Sequence, residues 1–365
     1  MKKNVIIFMP SIDDGGVEKN LYEVSNYLVK NNISLKIITC NKNMSFKFSK
    51  DIKFIGTKNS YWNNRSRYIK YIICLLILFL TLIKRKEKTL VFAFQANIYA
   101  VILAKILNVK IITRSNSAPP GWSQNAIKNF IYKFFIKFAN DVMVNSFEFK
   151  KIFEKKFNIK VKCIYNPFNK NFVLKKIKIK KKITFFKKGY LNIISVGRLT
   201  DQKDHLTLLR SIKELDSNFK VKVIIIGKGS TKDILKRYII KNNLQNKIKL
   251  FGYTNNPFPF IQKANIVVLT SKFEGLPNIL LEAQFLRKYI ISTNCPTGPK
   301  EILLNSKAGD LINIGDFKKL SHLIKNYSNN KNSIIKKINT GYKKFYRFDY
   351  MVNCKKYLNF IKNNY

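Results

Sequence analysis

The stretch Phe273-Glu274-Gly275-Leu276-Pro277-Asn278-Ile279-Leu280-Leu281-Glu282 decides how this 365-residue chain is read. It sets two carboxylates on either side of a glycine and a proline, then runs into an apolar segment. Pro277 suits the first turn of a helix, where its missing N–H costs nothing. Gly275 lets backbone approach a ligand closely, and free amides where a helix begins, here beside Leu276 and Asn278, attract phosphate. Glu282, on the helix, can present its carboxylate to paired hydroxyls, while Glu274 stands before the helix. Taken alone, two glutamates near a helix also read as a solvated face, so the surroundings decide.

Outward from this stretch the chain repeats one unit, an apolar strand, a turn and a helix. Residues 191–196 form a short β-branched run, read as a buried strand, that opens into Gly197-Arg198-Leu199-Thr200-Asp201-Gln202-Lys203 before a helix starting near Asp204. A second strand at 221–226 ends in Gly227-Lys228-Gly229. A third at 266–269 leads to Glu274, and a fourth at 289–292 leads to Thr297-Gly298-Pro299-Lys300-Glu301. Turns at the carboxyl ends of parallel strands are where such sheets bind ligands. The amino-terminal half offers strands at 4–8, 35–39, 89–94, 109–113, 142–144 and 162–165 with helical patterns between them, so it reads as a second α/β domain. Its Gly15-Gly16 pair follows the first strand and opens a helix over 17–29, a layout for phosphate or acceptor contact as well as for a plain tight turn.

These motifs in this order resemble the retaining glycosyltransferases of family 4, which have the two-domain GT-B fold. The resemblance rests on Gly15-Gly16-Val17-Glu18, Asn166-Pro167, Gly197-Arg198-Leu199 with Lys203, Gly227-Lys228-Gly229, the segment from Glu274 to Glu282, and Gly298-Pro299-Lys300-Glu301. The run Cys295-Pro296-Thr297-Gly298-Pro299 looks most like bacterial members that transfer galactose, N-acetylgalactosamine or related hexoses in surface-polysaccharide and lipopolysaccharide assembly. The expected fold class is therefore α/β with two doubly wound Rossmann-like domains: 1–168 binding acceptor, a lysine-rich linker at 169–189, and 190–344 binding nucleotide-sugar. A helix at 345–365 returns to the first domain, and the active site is expected in the cleft between the two.

The resemblance also implies roles. Breaking a sugar–diphosphate bond leaves negative charge on the leaving phosphate, which Arg198 and Lys203 would stabilise. Glu274 would contact the donor sugar, and Gly275, Leu276, Pro277 and Asn278 would line sugar and phosphate through backbone. Glu282 would hold the ribose, with Gly197 and Gly229 beside the diphosphate. Many relatives carry a histidine after the fourth strand of the first domain. Here the turn reads Thr113-Arg114-Ser115-Asn116-Ser117, so Arg114 as a phosphate clamp and Asn116 as a hydroxyl ligand take that place. Glu301 reads equally as a helix-start cap. Family members retain anomeric configuration by front-face attack without a protein nucleophile. No cofactor is expected beyond the donor, with UDP the first choice of nucleotide, and the absence of an Asp-x-Asp triplet points to metal independence. Phe251-Gly252-Tyr253 reads as a base platform or as core.

Composition bounds the rest. With 46% hydrophobic residues the chain can build more than one core, and its five cysteines lack the spacing of a disulfide framework or zinc site. The net charge of +49 suits any polyanion, although lysine, asparagine and isoleucine are biased along the whole chain. A nucleic-acid-binding protein lacks a reading module here, and a GT-B sugar-nucleotide epimerase would need a first-domain cluster of carboxylates and histidine. Residues 71–83 are apolar and flanked by Arg65, Arg67, Lys70 and Lys84-Arg85-Lys86. Thirteen residues are short of the ~20 a span requires, so the segment is read as lying on an anionic membrane surface, with core packing as the alternative. The five-residue apolar run at 5–9, stopped by Pro10 and Asp13-Asp14, is no signal peptide. The expected location is cytoplasmic, peripheral on the inner face of the plasma membrane.

Overall fold

The computed structural model describes every residue except 1–2, 13–14, 41–44, 58–61, 63–64, 96, 117–124 and 180, and the side chain of residue 67. Asp13, Asp14 and Ser117 thus lie outside the described residues. The chain divides into two compact units, one of residues 1–167 with 350–365, the other of residues 168–349. The first contains β1 (Lys3–Phe8), α1 (Gly16–Lys30), β2 (Ile33–Ile38), β3 (Lys53–Ile55), α2 (Arg67–Ile83), β4 (Thr89–Ala93), α3 (Asn97–Ile106), β5 (Lys110–Arg114), α4 (Ala126–Ile136), β6 (Asp141–Val144), α5 (Phe147–Phe157) and β7 (Lys162–Cys163). The second contains α6 (Lys170–Ile177), β8 (Leu191–Val196), α7 (His205–Lys213), β9 (Val221–Ile226), α8 (Lys232–Lys241), β10 (Ile248–Gly252), α9 (Phe258–Lys263), β11 (Ile266–Leu269), α10 (Asn278–Phe285), β12 (Tyr289–Thr293), α11 (Pro299–Ile302), β13 (Asp310–Ile312), α12 (Phe317–Lys325) and α13 (Lys331–Lys343). The last helix, α14 (Tyr350–Asn364), belongs to the first unit.

Each unit is a wholly parallel sheet, ordered β3-β2-β1-β4-β5-β6-β7 in the first and β10-β9-β8-β11-β12-β13 in the second. The period of two along β1 shows how the first is covered. Val5 and Ile7 face a core shared with Leu21, Val24 and Leu28 of α1 and with Tyr357, Phe360 and Ile361 of α14. Ile6 and Phe8 face the other side, against Cys74, Leu78 and Leu82 of α2 and Ala100, Val101 and Ala104 of α3. A strand apolar on both faces needs a helix layer on each, which gives the doubly wound architecture. In the second unit Ile193, Val223, Ile225, Val268 and Ile291 pack against α7, α8 and α12 in the same way.

Two stretches differ from expectation. The lysine-rich stretch 169–189 falls inside the second unit. Asn169 caps α6 by accepting from the Phe172 amide at 3.0 Å, Val173 is buried, and Asn256 donates to the Lys176 carbonyl at 2.9 Å. A few apolar side chains set among lysines suffice to dock it. The expected helix at 345–365 is broken at Asp349: Phe345–Phe348 form a 3-10 turn in which Phe345 meets the Phe168 ring edge-on at 4.9 Å. Only α14 joins the first unit. A contact without sequence signature also appears, because the buried sulfurs of Cys40 and Cys74, free thiols, lie 3.4 Å apart.

The docking of α14 depends on Phe360, whose ring lies 6.4 Å from that of Phe92. Phe360→Ala is expected to destabilise the first unit by about 3–5 kcal/mol through the lost contacts and residual cavity, read as a lower urea midpoint.

Candidate active site

In the second unit the candidate residues collect on loops leaving adjacent strands. Sheet order sets β9, β8, β11 and β12 side by side. Their carboxyl ends lead respectively to residues 227–229, 197–203, 274–278 and 297–298. Strand order reverses between β8 and β11, the kind of point at which open parallel sheets bind ligands.

Backbone packing holds these loops together. A Cβ on Gly227 would stand 1.8 Å from the Gly197 carbonyl oxygen, so no side chain fits there. Gly197 N donates to Ile226 O at 3.0 Å, Leu199 N to Lys228 O at 2.9 Å, and Thr231 N to Leu199 O at 3.0 Å, stitching the Gly229 turn to the 197–199 loop. Gly298 has φ +87°, and a Cβ on it would lie 2.3 Å from the Gly275 oxygen. Thr297 Oγ1 donates to the carbonyls of Glu274 and Gly275, each at 3.1 Å. Pro277 stands just before α10 as its cap residue, with Asn278 beginning the helix.

The two loops flanking the reversal meet through charge. Lys203 Nζ lies 2.5 Å from Glu274 Oε1, and Ser271 Oγ donates to the same oxygen at 2.6 Å. Both charged side chains are almost buried, at 14% and 8% exposure, so removing either leaves an uncompensated charge and is strongly destabilising. An ammonium has three donors, and the Glu274 bond uses one. Arg198 is exposed and donates from Nη2 to Gln202 Oε1 at 3.1 Å, while Gln202 Nε2 donates to Phe273 O at 2.9 Å. Thr270 Oγ1 donates to the Lys203 carbonyl and Thr293 Oγ1 to that of Ser271. Beneath lies Cys295, its thiol pushed up to about 12 by burial first and then by the charge of Glu274. Glu282 is buried on α10. Phe251 packs on Phe260 with ring centroids 4.5 Å apart, and Lys228 Nζ sits 5.0 Å over the half-exposed Tyr253 ring.

Sequence reasoning passed over His205. Its Nδ1 lies 3.2 Å from Ser195 Oγ and its Nε2 3.3 Å from the Arg198 carbonyl, so the ring ties β8 to the Arg198 turn. Burial, then the nearby Lys203, lowers its pKa to about 4, and the ring is neutral at pH 7. The hydroxyls of Ser271, Thr293 and Thr297 were passed over too. Lone polar residues have no spacing to give them away; their only signal is position just beyond a strand.

The first-unit candidates sit at the carboxyl edge of that unit's sheet. Gly15 and Gly16 are exposed where α1 begins, and the Glu18 carboxylate turns back toward Gly15, its Oε2 2.6 Å from where a Cβ would be. Arg114 is buried. Its Nη2 donates to Asn166 Oδ1 at 2.8 Å and its guanidinium lies 5.2 Å over Phe94. Asn116 donates to the Phe94 carbonyl at 2.8 Å. As placed, both residues brace the turn after β5, and Asn166 of the Asn166-Pro167 motif is what Arg114 holds.

The His205 shift has a stability consequence. The folded pKa of about 4 lies below the unfolded ~6.5, so between these values the unfolded chain binds a proton that the folded one does not. Stability is then full above pH 6.5 and falls as pH drops toward 4, by on the order of 3 kcal/mol from this group. In a pH series of urea midpoints, His205→Gln should remove that part of the slope.

Comparison with known proteins adds family and fold. Residues 176–344 match the family described as glycosyl transferases group 1. An uncharacterized glycosyltransferase of Methanocaldococcus jannaschii is 39% identical over 178 residues, 47% of this chain and 44% of that one. A Campylobacter jejuni alpha-1,4-N-acetyl-D-galactosaminyltransferase, named for a PP-undecaprenol-linked glycan, is 25% identical over 327 residues, 87% of this chain and 86% of its own. The chain spans 44% and 33% of the first two curated relatives. Among solved structures, Anabaena HepE in complex with UDP superposes with TM-score 0.79 at 16% identity, covering 99% of this chain and 100% of that one. Sucrose-phosphate synthase of Thermosynechococcus elongatus gives 0.82 at 11% identity over 99% of both. The chain thus has the two-domain GT-B fold, and its residues 176–344 match the family of glycosyl transferases group 1.

Proposed function

We propose that the protein is a retaining hexosyltransferase. It moves a hexose or N-acetylhexosamine from a nucleoside diphosphate sugar, UDP-linked, to a lipid-linked or growing glycan acceptor in cell-surface polysaccharide synthesis. The observation that carries this reading is the Lys203–Glu274 pair where strand order reverses, with Arg198 on the same loop as Lys203 and bonded to Gln202. The names of relatives support it: one acts on a PP-undecaprenol-linked glycan, another is a lipopolysaccharide 1,6-galactosyltransferase of Escherichia coli.

In this reading the diphosphate lies against the glycine turns at 197 and 227–229, where backbone approach is unobstructed by side chains. Arg198 and the spare donors of Lys203 face its oxygens, Glu274 takes a sugar hydroxyl and Glu282 the ribose. The anomeric C–O bond breaks with its electron pair going to the phosphate, the acceptor hydroxyl attacks from the same face, and the departing phosphate receives the acceptor's proton. Hydrogen bonds to charged groups contribute about 1.5–3 kcal/mol each. Two acting on the leaving group supply roughly two to four decades of rate at ~1.36 kcal/mol per decade. Lys203 held by Glu274 is fixed before the donor arrives, which limits reorganisation as charge develops.

A lipid-linked acceptor and the surface of the first unit support a peripheral location at the inner face of the plasma membrane. Among the described residues no helix is long and apolar enough to cross a membrane. Instead α2, α3 and α4 contain not one acidic residue, and large apolar side chains such as Ile72, Leu76, Ile106, Ile127 and Phe130 stand more than half exposed. An apolar face with only cations among its charges suits an anionic leaflet.

UDP should raise the melting temperature more than GDP or ADP, without sensitivity to EDTA, by mass action on the folded state. Arg198→Ala, an exposed change, should abolish that shift at unchanged basal stability and lower kcat at least tenfold; no nucleotide shift in folded protein would sink the reading. In a second test, the protein should cosediment with vesicles containing anionic lipid and not with neutral ones, and Leu76→Asp with Phe130→Asp should release it. Equal binding to both vesicle types would contradict the membrane assignment.

A further inference from the structure

We propose that the furrow between α2 and α3 holds the hydrocarbon chain of the lipid that carries the acceptor. This rests on the transferase reading and names how its acceptor is held. The furrow, open to solvent along its length, offers about 480 Å³ and is lined by Leu75, Leu76 and Phe79 of α2 and Tyr99, Ile102 and Leu103 of α3, among other apolar side chains. That volume falls within the ~300–1,000 Å³ of small-molecule sites. Exposed apolar concavities of this kind mark binding sites.

The chemistry of the walls chooses the occupant. A peptide or a nucleic acid would bring backbone polar groups into a furrow that offers almost nothing to bond them, and burying them unpaired is costly. A hydrocarbon chain carries no such groups. The helices lining the furrow have no acidic residue, so a lipid phosphate meets no like charge along it.

Topology sets the direction in which such a chain lies. Strand β4 ends at Ala93 and α3 begins at Asn97, so the Tyr99 end of the furrow adjoins the carboxyl edge of the first sheet. Tyr68, Tyr71 and Tyr99 cluster there, with ring centroids 6.4 and 6.3 Å apart in succession. Amphipathic rings suit a boundary between hydrocarbon and polar head. At the same edge Asn97 donates to the Arg114 carbonyl at 3.0 Å, and Asn116 Oδ1 is buried without a partner among the described residues. Hydrocarbon enclosure thus gives way, along one line, to a polar edge short of hydrogen-bond partners.

The test uses the full chain and hexyl, octyl and decyl phosphate as probes, below their micellar concentrations and without vesicles, with inorganic phosphate as control, by isothermal titration calorimetry. The expected result is negligible binding of inorganic phosphate and affinity rising about fourfold per methylene until the furrow is filled. Leu103→Trp, which fills the floor, should remove the chain-length dependence while UDP stabilisation and vesicle binding persist; Ile102→Trp serves if that variant does not fold. Chain-independent binding, or chain-length dependence that survives both substitutions, overturns the proposal. So does a wild-type dimer by light scattering that dissociates on Leu103→Trp, since the furrow is then filled by a second copy. Chain-length dependence without any UDP stabilisation supports the lipid seat and counts against the transferase reading alone.

Discussion

The loops of the second unit depend on a constraint of space. The Gly197 carbonyl leaves no room for a Cβ on Gly227, and the Gly275 carbonyl leaves none on Gly298. Because these turns touch backbone to backbone, the ends of β8, β9, β11 and β12 form one surface of main-chain atoms. Side chains reach onto it from a few positions only. The Lys203–Glu274 pair then joins the two halves of that surface across the strand reversal, and Ser271 fixes the shared oxygen. A rigid polar floor with fixed charge is what binding a diphosphate requires, since ordering flexible groups at each encounter costs affinity.

Charge and apolar surface work at different places in the molecule. The excess of lysine is spread along the whole chain, yet the acidic residues avoid the outer helices α2, α3 and α4 of the first unit. The same helices bury one side against the sheet, through Leu78, Leu82, Ala100 and Ala104, and leave the other side apolar toward solvent. Leu78 and Leu82 are fully buried while Leu76, Leu80 and Ile83 stand open. A helix apolar all round implies something to cover its outer side.

Much of this was readable beforehand, for identifiable reasons. Strands β8, β9 and β11 are covered on both faces and so appear as apolar-rich, β-branched runs whose limits coincide with those expected from sequence. Gly227, Gly229 and Gly298 stood out in the motifs because backbone oxygens 1.8–2.3 Å from a Cβ there permit no other residue. Edge strands β3 and β13, three residues each, carry too little pattern to stand out. The docking of α6 was hidden because its buried Val173 sits among lysines that dominate local composition. Arg114 was given the place of the relatives' histidine as a phosphate clamp, and only packing reveals that it is enclosed with Asn166 and Phe94. His205, Ser271 and the Cys40–Cys74 contact join residues distant in sequence or lacking any period, so only the fold brings them to notice.

Hydrogen–deuterium exchange of the intact protein with and without UDP tests the central claim most directly, because it locates the nucleotide without relying on turnover. The account predicts slowed exchange of amides at 197–203, 227–229 and 274–282, with the sheet interiors unchanged. Protection confined to other segments, or none at saturating UDP, would contradict it.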